Sequence, residues 1–206
     1  MRDAESTVFQ MKEAVLALCR RKGWGVDGVQ NPQHVAVAMT VEILELLEIF
    51  SQAREAGQTA LLPRQLAEAA EEMADMTMYG LQLAYTLKID LARGLDAQAS
   101  EETTALAELK RLAGRGRGDC FAQAMALAAD SRFVAEAFQW MDSPEVSALQ
   151  AGQRPQVQAE IARAYEGLFR RTLQLANTLQ IDLSGEVSRK ISIVDRRISP
   201  ENDPVR

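Results

Sequence analysis

Two pairs of carboxylates occupy positions where a soluble helix ordinarily presents apolar side chains. Glu42 and Glu45 lie in AVAMTVEILELLEIF, and Glu72 and Asp75 lie in AEAAEEMADMTMYG. Each pair has i, i+3 spacing, so both acids project from one side of a helix, one turn apart. The Glu42/Glu45 side also carries Val35, Ala38, Leu46 and Ile49. Like charges about 5.5 Å apart repel by about 3 kcal/mol at an effective dielectric near 20. A second acidic pair opposite the first raises that cost unless a cation sits between them. Four carboxylates without neighbouring His or Cys suit a hard, oxygen-seeking ion, Mg²⁺ first and Mn²⁺ second. A di-iron centre requires Glu-x-x-His pairs, and the one histidine, His34, reads as a helix-start residue.

The elements that must hold these acids are helices. The chain has 206 residues, a formal net charge of −6, 25% charged and 47% hydrophobic residues, and few aromatics. Ala, Leu, Glu, Gln and Met dominate, and no alternating run of β-branched residues stands out, so the fold class is all-α. The acidic balance speaks against a nucleic-acid-binding surface, and the absence of a signal peptide or a membrane-length apolar run leaves the cytoplasm as the expected compartment. Cys19 and Cys120 have no metal-ligand spacing and read as reduced core residues.

Local signals place the elements. Helix 1 spans about 5–22 and stops before Gly23. Asn31 and Pro32 open helix 2, which Gly57 closes. Pro63 opens a third helix to about residue 89, followed by a short fourth after Asp90. In the remainder, Ser100 caps a helix over 101–113, and Asp119 caps one ending near Trp140. Ser143-Pro144 starts a short turn of helix, and Pro155 starts a long helix to about Gln180. A last helix covers 184–197, and the tail beyond Pro200 is expected to be loose. Helix 2 is apolar nearly all round (Val41, Ile43, Leu44, Leu46, Leu47, Ile49, Phe50) and should be central. The short connection between helices 2 and 3 makes them antiparallel neighbours and brings the acid pairs together. Glu48 either supports the acids or reaches solvent, and Glu68 and Glu71 extend the acidic strip.

The chain also repeats itself: LQLAYTLKIDL at 81–91 and LQLANTLQIDL at 173–183 agree at nine of eleven positions. We therefore divide it into homologous halves, 1–97 and 98–206. Glu42 and Glu45 align with Asp130 and Phe133, and Glu72 and Asp75 with Ala164 and Gly167, so the second half should hold no metal. The loop Gly114-Arg115-Gly116-Arg117-Gly118 lacks the strand and the Lys-Ser/Thr of a P-loop and reads as a connector.

Glu42-Ile43-Leu44-Glu45 followed by Glu72-Met73-Ala74-Asp75, with Trp24, NPQHVAVAM, ELLEIF and IDL around them, resembles the MazG-like all-α NTP pyrophosphohydrolase superfamily, which includes dimeric dUTPases and dCTP pyrophosphatases. The resemblance covers most of residues 15–91. It implies tandem four-helix repeats packed as an intramolecular pseudo-dimer, and Mg²⁺-dependent hydrolysis of a nucleoside triphosphate to the monophosphate and pyrophosphate. Glu42, Glu45, Glu72 and Asp75 would be both the catalytic and the metal residues. Lys190 and Arg197, in IDLSGEVSRKISIVDRR, match the family's phosphate-binding cations, whereas the first half has Gln98 at the position of Lys190. One of Arg196 and Arg197 should pair with Asp195 or Glu186. Phe138-Gln139-Trp140 looks like the family's FQW, which offers Trp140 as a wall for the base or as a cap on the bundle end. Trp24 either borders the base pocket or fills core. Gln30 replaces the family's His before the motif Pro, which leaves the preferred base open. The family's habit also implies self-association of the fused chain as a homodimer. The competing expectation is a catalytically silent helical interaction module that keeps vestigial acids; a phosphoribosyl-ATP pyrophosphohydrolase ranks lower because its flanks match less well.

Overall fold

The computed structural model describes residues 1–197, so the tail expected beyond Pro200 lies outside the described residues. Among the described residues eight helices follow one another: α1 (Val8–Lys22), α2 (Pro32–Glu55), α3 (Pro63–Thr86), α4 (Leu106–Ala113), α5 (Cys120–Gln139), α6 (Ser143–Gln150), α7 (Pro155–Leu179) and α8 (Leu183–Arg196). Among the described residues the only β pairing is two isolated bridges, Thr7 with Ala105 and Val26 with Val29. Among the described residues no helix is long and apolar enough to cross a membrane.

Most helix starts follow local chemistry. The Thr7 side chain accepts from the Gln10 N–H, and Gln10 reciprocates to the Thr7 backbone. Asn31 accepts from the Gln33 N–H ahead of Pro32, and Asp119 from the Ala122 N–H. Asp182 accepts from the Gly185 N–H. These caps satisfy backbone donors that the first turn of a helix leaves unpaired. Two expected starts fail. No helix begins at Ser100: residues 101–103 form turns, and α4 begins after Ala105. Nor does a helix follow Asp90, where residues 91–95 are turns only.

Helix α2 packs between α3 and α5, and α7 packs against α5. Met39, Ile43 and Leu46 of α2 are fully buried, each worth roughly 1.5–3 kcal/mol relative to exposure. Its apolar circumference is nevertheless only partly covered: Val41 is 44% and Leu44 51% exposed, with Val37 a turn earlier on the same stripe. Two neighbouring helices cannot cover the whole circumference of a third. The buried cluster is continuous across residue 97, drawing on α1, α2 and α3 and also on α4, α5 and α7.

The two stretches of chain exchange elements. Helix α8 packs on α1 and α3, while residues 94–95 lie on α7, where Arg170 donates to the carbonyls of Gly94 and Leu95. Around the Thr7–Ala105 bridge the contacts come in matched pairs. Lys110 binds Asp3 at 2.6 Å, and Lys12 binds Glu101. Asp3 also accepts from the Leu183 and Ser184 N–H groups, and Glu101 from the Leu91 N–H at 2.8 Å. Asp3 and Glu101 stand the same number of residues before Thr7 and Ala105, Lys12 and Lys110 the same number after, and Leu91 and Leu183 end the repeated sequence.

Candidate metal centre

Glu42 and Glu45 lie one turn apart on α2, and Glu72 faces them from α3. One carboxylate oxygen from each of the three lies within 4.8 Å of the others. Glu42 and Glu72 are half-buried and Glu45 is exposed, so the cluster has one side open to solvent. Burial pushes the Glu72 carboxyl up, and its hydrogen bond to Glu42 and the charges of Glu42, Glu45 and Asp75 push it further, to about 8. Burial also raises Glu42, while its hydrogen bond to Glu72 pulls it back. At neutral pH the Glu72 O–H therefore donates to the Glu42 carboxylate. A proton shared between two acids performs the neutralisation that a cation can take over.

Asp75 borders this trio without joining it. Its carboxylate contacts Lys190 Nζ, which also donates to Glu71 Oε1 at 2.7 Å. Burial lifts Asp75 above the ordinary carboxylate range despite the ammonium beside it. Lys190 is depressed by its own burial, but Asp75 and Glu71 more than offset this and raise it. Glu71 is lowered, first by its hydrogen bond from Lys190. Lys190 is nearly buried and comes from α8, so the cation and the acids meet only because α8 packs on α3. Arg197 is exposed; its charge helps to lower Glu71 and acts against the rise of Asp75. Its carbonyl accepts from Lys22 Nζ. The expected ion pair of Arg196 or Arg197 with Asp195 or Glu186 does not form. Asp195 binds Arg21 at 2.9 Å and Glu186 binds Arg189 at 2.7 Å.

The aromatic candidates lie elsewhere. Trp140 is 85% exposed and borders a groove with Phe133, Met141, Arg154 and Arg163 that includes none of the four acids. The groove sits near the start of α2, where Gln33 donates to the carbonyls of Phe138 and Met141. Trp24 is 40% exposed in the α1–α2 loop, so it does not fill core, and its backbone N–H donates to the Cys19 carbonyl. Glu48 is exposed and accepts from Gln52, and Glu68 pairs with Arg64 at the surface. His34 is exposed as well.

Two residues belong at the site that spacing alone did not single out for a role. Glu71 anchors Lys190, and Tyr79 sits one turn beyond Asp75, with its hydroxyl raised by burial and then by the charges of Glu42 and Asp75. The i+4 step from Asp75 to Tyr79 was the available signal.

No family model matches this chain, nor does any curated protein or solved structure.

As a donor set, three converging carboxylates fit Mg²⁺ or Mn²⁺ and lack the nitrogen and sulfur ligands that zinc or copper favour. Glu42, Glu45 and Glu72 would hold such an ion, with Asp75 as a fourth acid that must first release Lys190.

Proposed function

We propose that this chain is a Mg²⁺-dependent nucleoside triphosphate pyrophosphohydrolase. The observation that carries the reading is the convergence of the Glu42, Glu45 and Glu72 carboxylates from two helices. A bound divalent ion would offset the acids and let an anionic triphosphate approach them. The reaction forms a bond from water oxygen to the α-phosphorus and breaks the bond from that phosphorus to the β-bridging oxygen. The products are a nucleoside monophosphate and pyrophosphate. A carboxylate of the cluster not fully committed to the ion would take the proton of the attacking water. Lys190 and Arg197 are the cations available to the phosphates. The matched Lys12–Glu101 and Lys110–Asp3 pairs, with the exchange of α8 and residues 94–95, support the further reading that the halves are tandem repeats packed as a pseudo-dimer.

The rival reading is a catalytically silent helical module. It is favoured by Lys190, which neutralises Asp75 and Glu71 without any metal. The two readings separate on pyrophosphate release from a panel of NTPs and dNTPs with Mg²⁺. The enzyme reading expects turnover of at least one nucleotide by the wild type, abolished in Glu42→Gln and sharply reduced in Asp75→Asn. No release from any nucleotide at micromolar protein would leave the silent module.

A further inference from the structure

The place in the second half that corresponds to the acidic centre is a cavity of opposite charge. It measures about 450 Å³, within the range of about 300–1,000 Å³ usual for small-ligand sites, and is walled by α5, α7 and the α4–α5 loop. Asp130 and Gly167, the repeat counterparts of Glu42 and Asp75, both line it. A Cβ added at Gly167 would meet nothing within 4 Å, so losing the acid at this position left open space.

Arginines fill the perimeter: Arg115, Arg117, Arg170 and Arg171, four guanidiniums against the single carboxylate of Asp130. Asp130 is already engaged by Arg171 Nε at 2.5 Å. Arg170 is fixed by the carbonyls of Gly94 and Leu95. Arg115 and Arg117 make no ion pair among the described residues and carry uncompensated charge at the rim. The loop that bears them is built to lie there. A Cβ at Gly116, between the two arginines, would meet the Gln123 carboxamide at 2.2 Å, so a larger residue there would have to displace that side chain. Gln123 in turn donates to the Gly118 carbonyl and accepts from the Thr178 hydroxyl. The Gly-Arg-Gly run expected to be a plain connector thus places two guanidiniums over a concave site.

We propose that this cavity binds a small polyphosphate anion, either inorganic pyrophosphate or the polyphosphate tail of a nucleotide, without a divalent ion. Guanidinium forks match phosphate oxygens in geometry and charge. The one carboxylate present is committed to Arg171, so no donor set for a cation exists here. A concave site of this size suits a compact anion rather than a polymer tracking an extended basic surface. The inference does not depend on hydrolysis at the acidic centre.

The test is calorimetric titration of sodium pyrophosphate, and separately of ATP, into the full chain in EDTA at fixed ionic strength. The variants are the double Arg115→Ser/Arg117→Ser, whose exposed loop residues can change without touching the core, and Glu42→Gln. Wild type and Glu42→Gln are expected to bind with equal affinity. The double variant is expected to bind at least about tenfold more weakly, since each lost charge-assisted hydrogen bond is worth about tenfold or more. Tighter pyrophosphate marks a free polyphosphate as the ligand, and tighter ATP marks a nucleotide; either supports the site. No binding of either anion, undiminished binding by a double variant whose circular dichroism is unchanged, or loss of binding in Glu42→Gln would overturn it. So would capture of a single-stranded oligonucleotide with no response to pyrophosphate.

Discussion

Glu42→Gln should make the metal-free protein more stable, not less, and it should do so only at alkaline pH. Three carboxylate oxygens lie within 4.8 Å of one another. Two unit charges at that separation repel by about 3.5 kcal/mol at an effective dielectric of 20 and by about 1 kcal/mol in bulk water. With Glu45 exposed and the other two half-buried, the relief from removing one charge lies toward the aqueous limit, about 1–2 kcal/mol. For a chain of this length that raises Tm by about 2–8 °C. The pH window follows from Glu72, raised by burial to about 8 from an ordinary value of 4.5. The folded state holds an extra proton between those values, so stability falls as pH rises through the window. The upward shifts of Glu42 and Asp75 act in the same direction. At pH 5.5 Glu72 is protonated and donates to residue 42 whether that residue is Glu or Gln, and the variants should melt together. At pH 8.5 in EDTA, Glu42→Gln should melt higher. Mg²⁺ should reverse the order, because a ligand at 100 times its Kd adds about 2.7 kcal/mol to a protein that can bind it. Scanning calorimetry of both proteins at the two pH values, with EDTA or Mg²⁺, reads all four corners. A Glu42→Gln protein that melts lower at pH 8.5 in EDTA and keeps the full Mg²⁺ shift would refute the reasoning.

Lys190→Met leaves the partly buried Asp75 without its ammonium and should cost about 2–4 kcal/mol at pH 7 by chemical denaturation; Mg²⁺ should recover part of that loss, and an unchanged midpoint would show the pair to be inert. Asp3→Ala strips Lys110 and two backbone N–H groups of their acceptor, while Glu101→Ala does the same to Lys12 and the Leu91 N–H. Each should cost about 3 kcal/mol by urea unfolding, and an unchanged midpoint for either would show that acid to be dispensable to the join. Gly80→Ala puts a methyl group 1.8 Å from the hydroxyl of the buried Tyr165 where α3 meets α7, so it should lower stability by about 1–3 kcal/mol; a neutral result would mean that this helix crossing is looser than described.

The parts of the fold legible in the sequence are those decided within one turn of chain. Asn31-Pro32, Pro63 and Asp119 announce helix starts because a cap or a prolyl ring acts on neighbouring backbone groups alone. The E-x-x-E spacing likewise fixes which acids share a face. The failures have long-range causes. Asp90 and Asp182 cap in the same way, Asp90 accepting from the Arg93 N–H, yet only the second is followed by a helix. After Asp90 the chain is drawn onto α7, where Arg170 takes the Gly94 and Leu95 carbonyls and Glu166 packs against Gly94. Glu101 could have been a first-turn residue of a helix capped by Ser100. It is spent instead on Lys12 and the Leu91 N–H, and residues near 105 pair with residues near 7. Lys190 shows the same limit at the site. Its presence was readable and its meeting with Glu71 and Asp75, more than a hundred residues away, was not.

The placement of charge explains why a repeated frame would carry unlike halves. Acids gathered on α2 and α3 raise one another's proton affinity, and a cation must answer them. Lys190 supplies one such charge from α8, reaching Asp75 and Glu71 and leaving Glu42, Glu45 and Glu72 to each other. At the counterpart position Gln98 offers no charge, and with three of the four acids gone none is needed. In the sequence alignment of the two stretches Met78 and Tyr79 face Arg170 and Arg171, and the surplus around the latter is positive. A metal-bearing pocket and a guanidinium-lined pocket both attract phosphate, the first through an ion and the second directly. On the proposed reading, a half that lost acids and gained arginines would keep phosphate as its class of ligand without an ion.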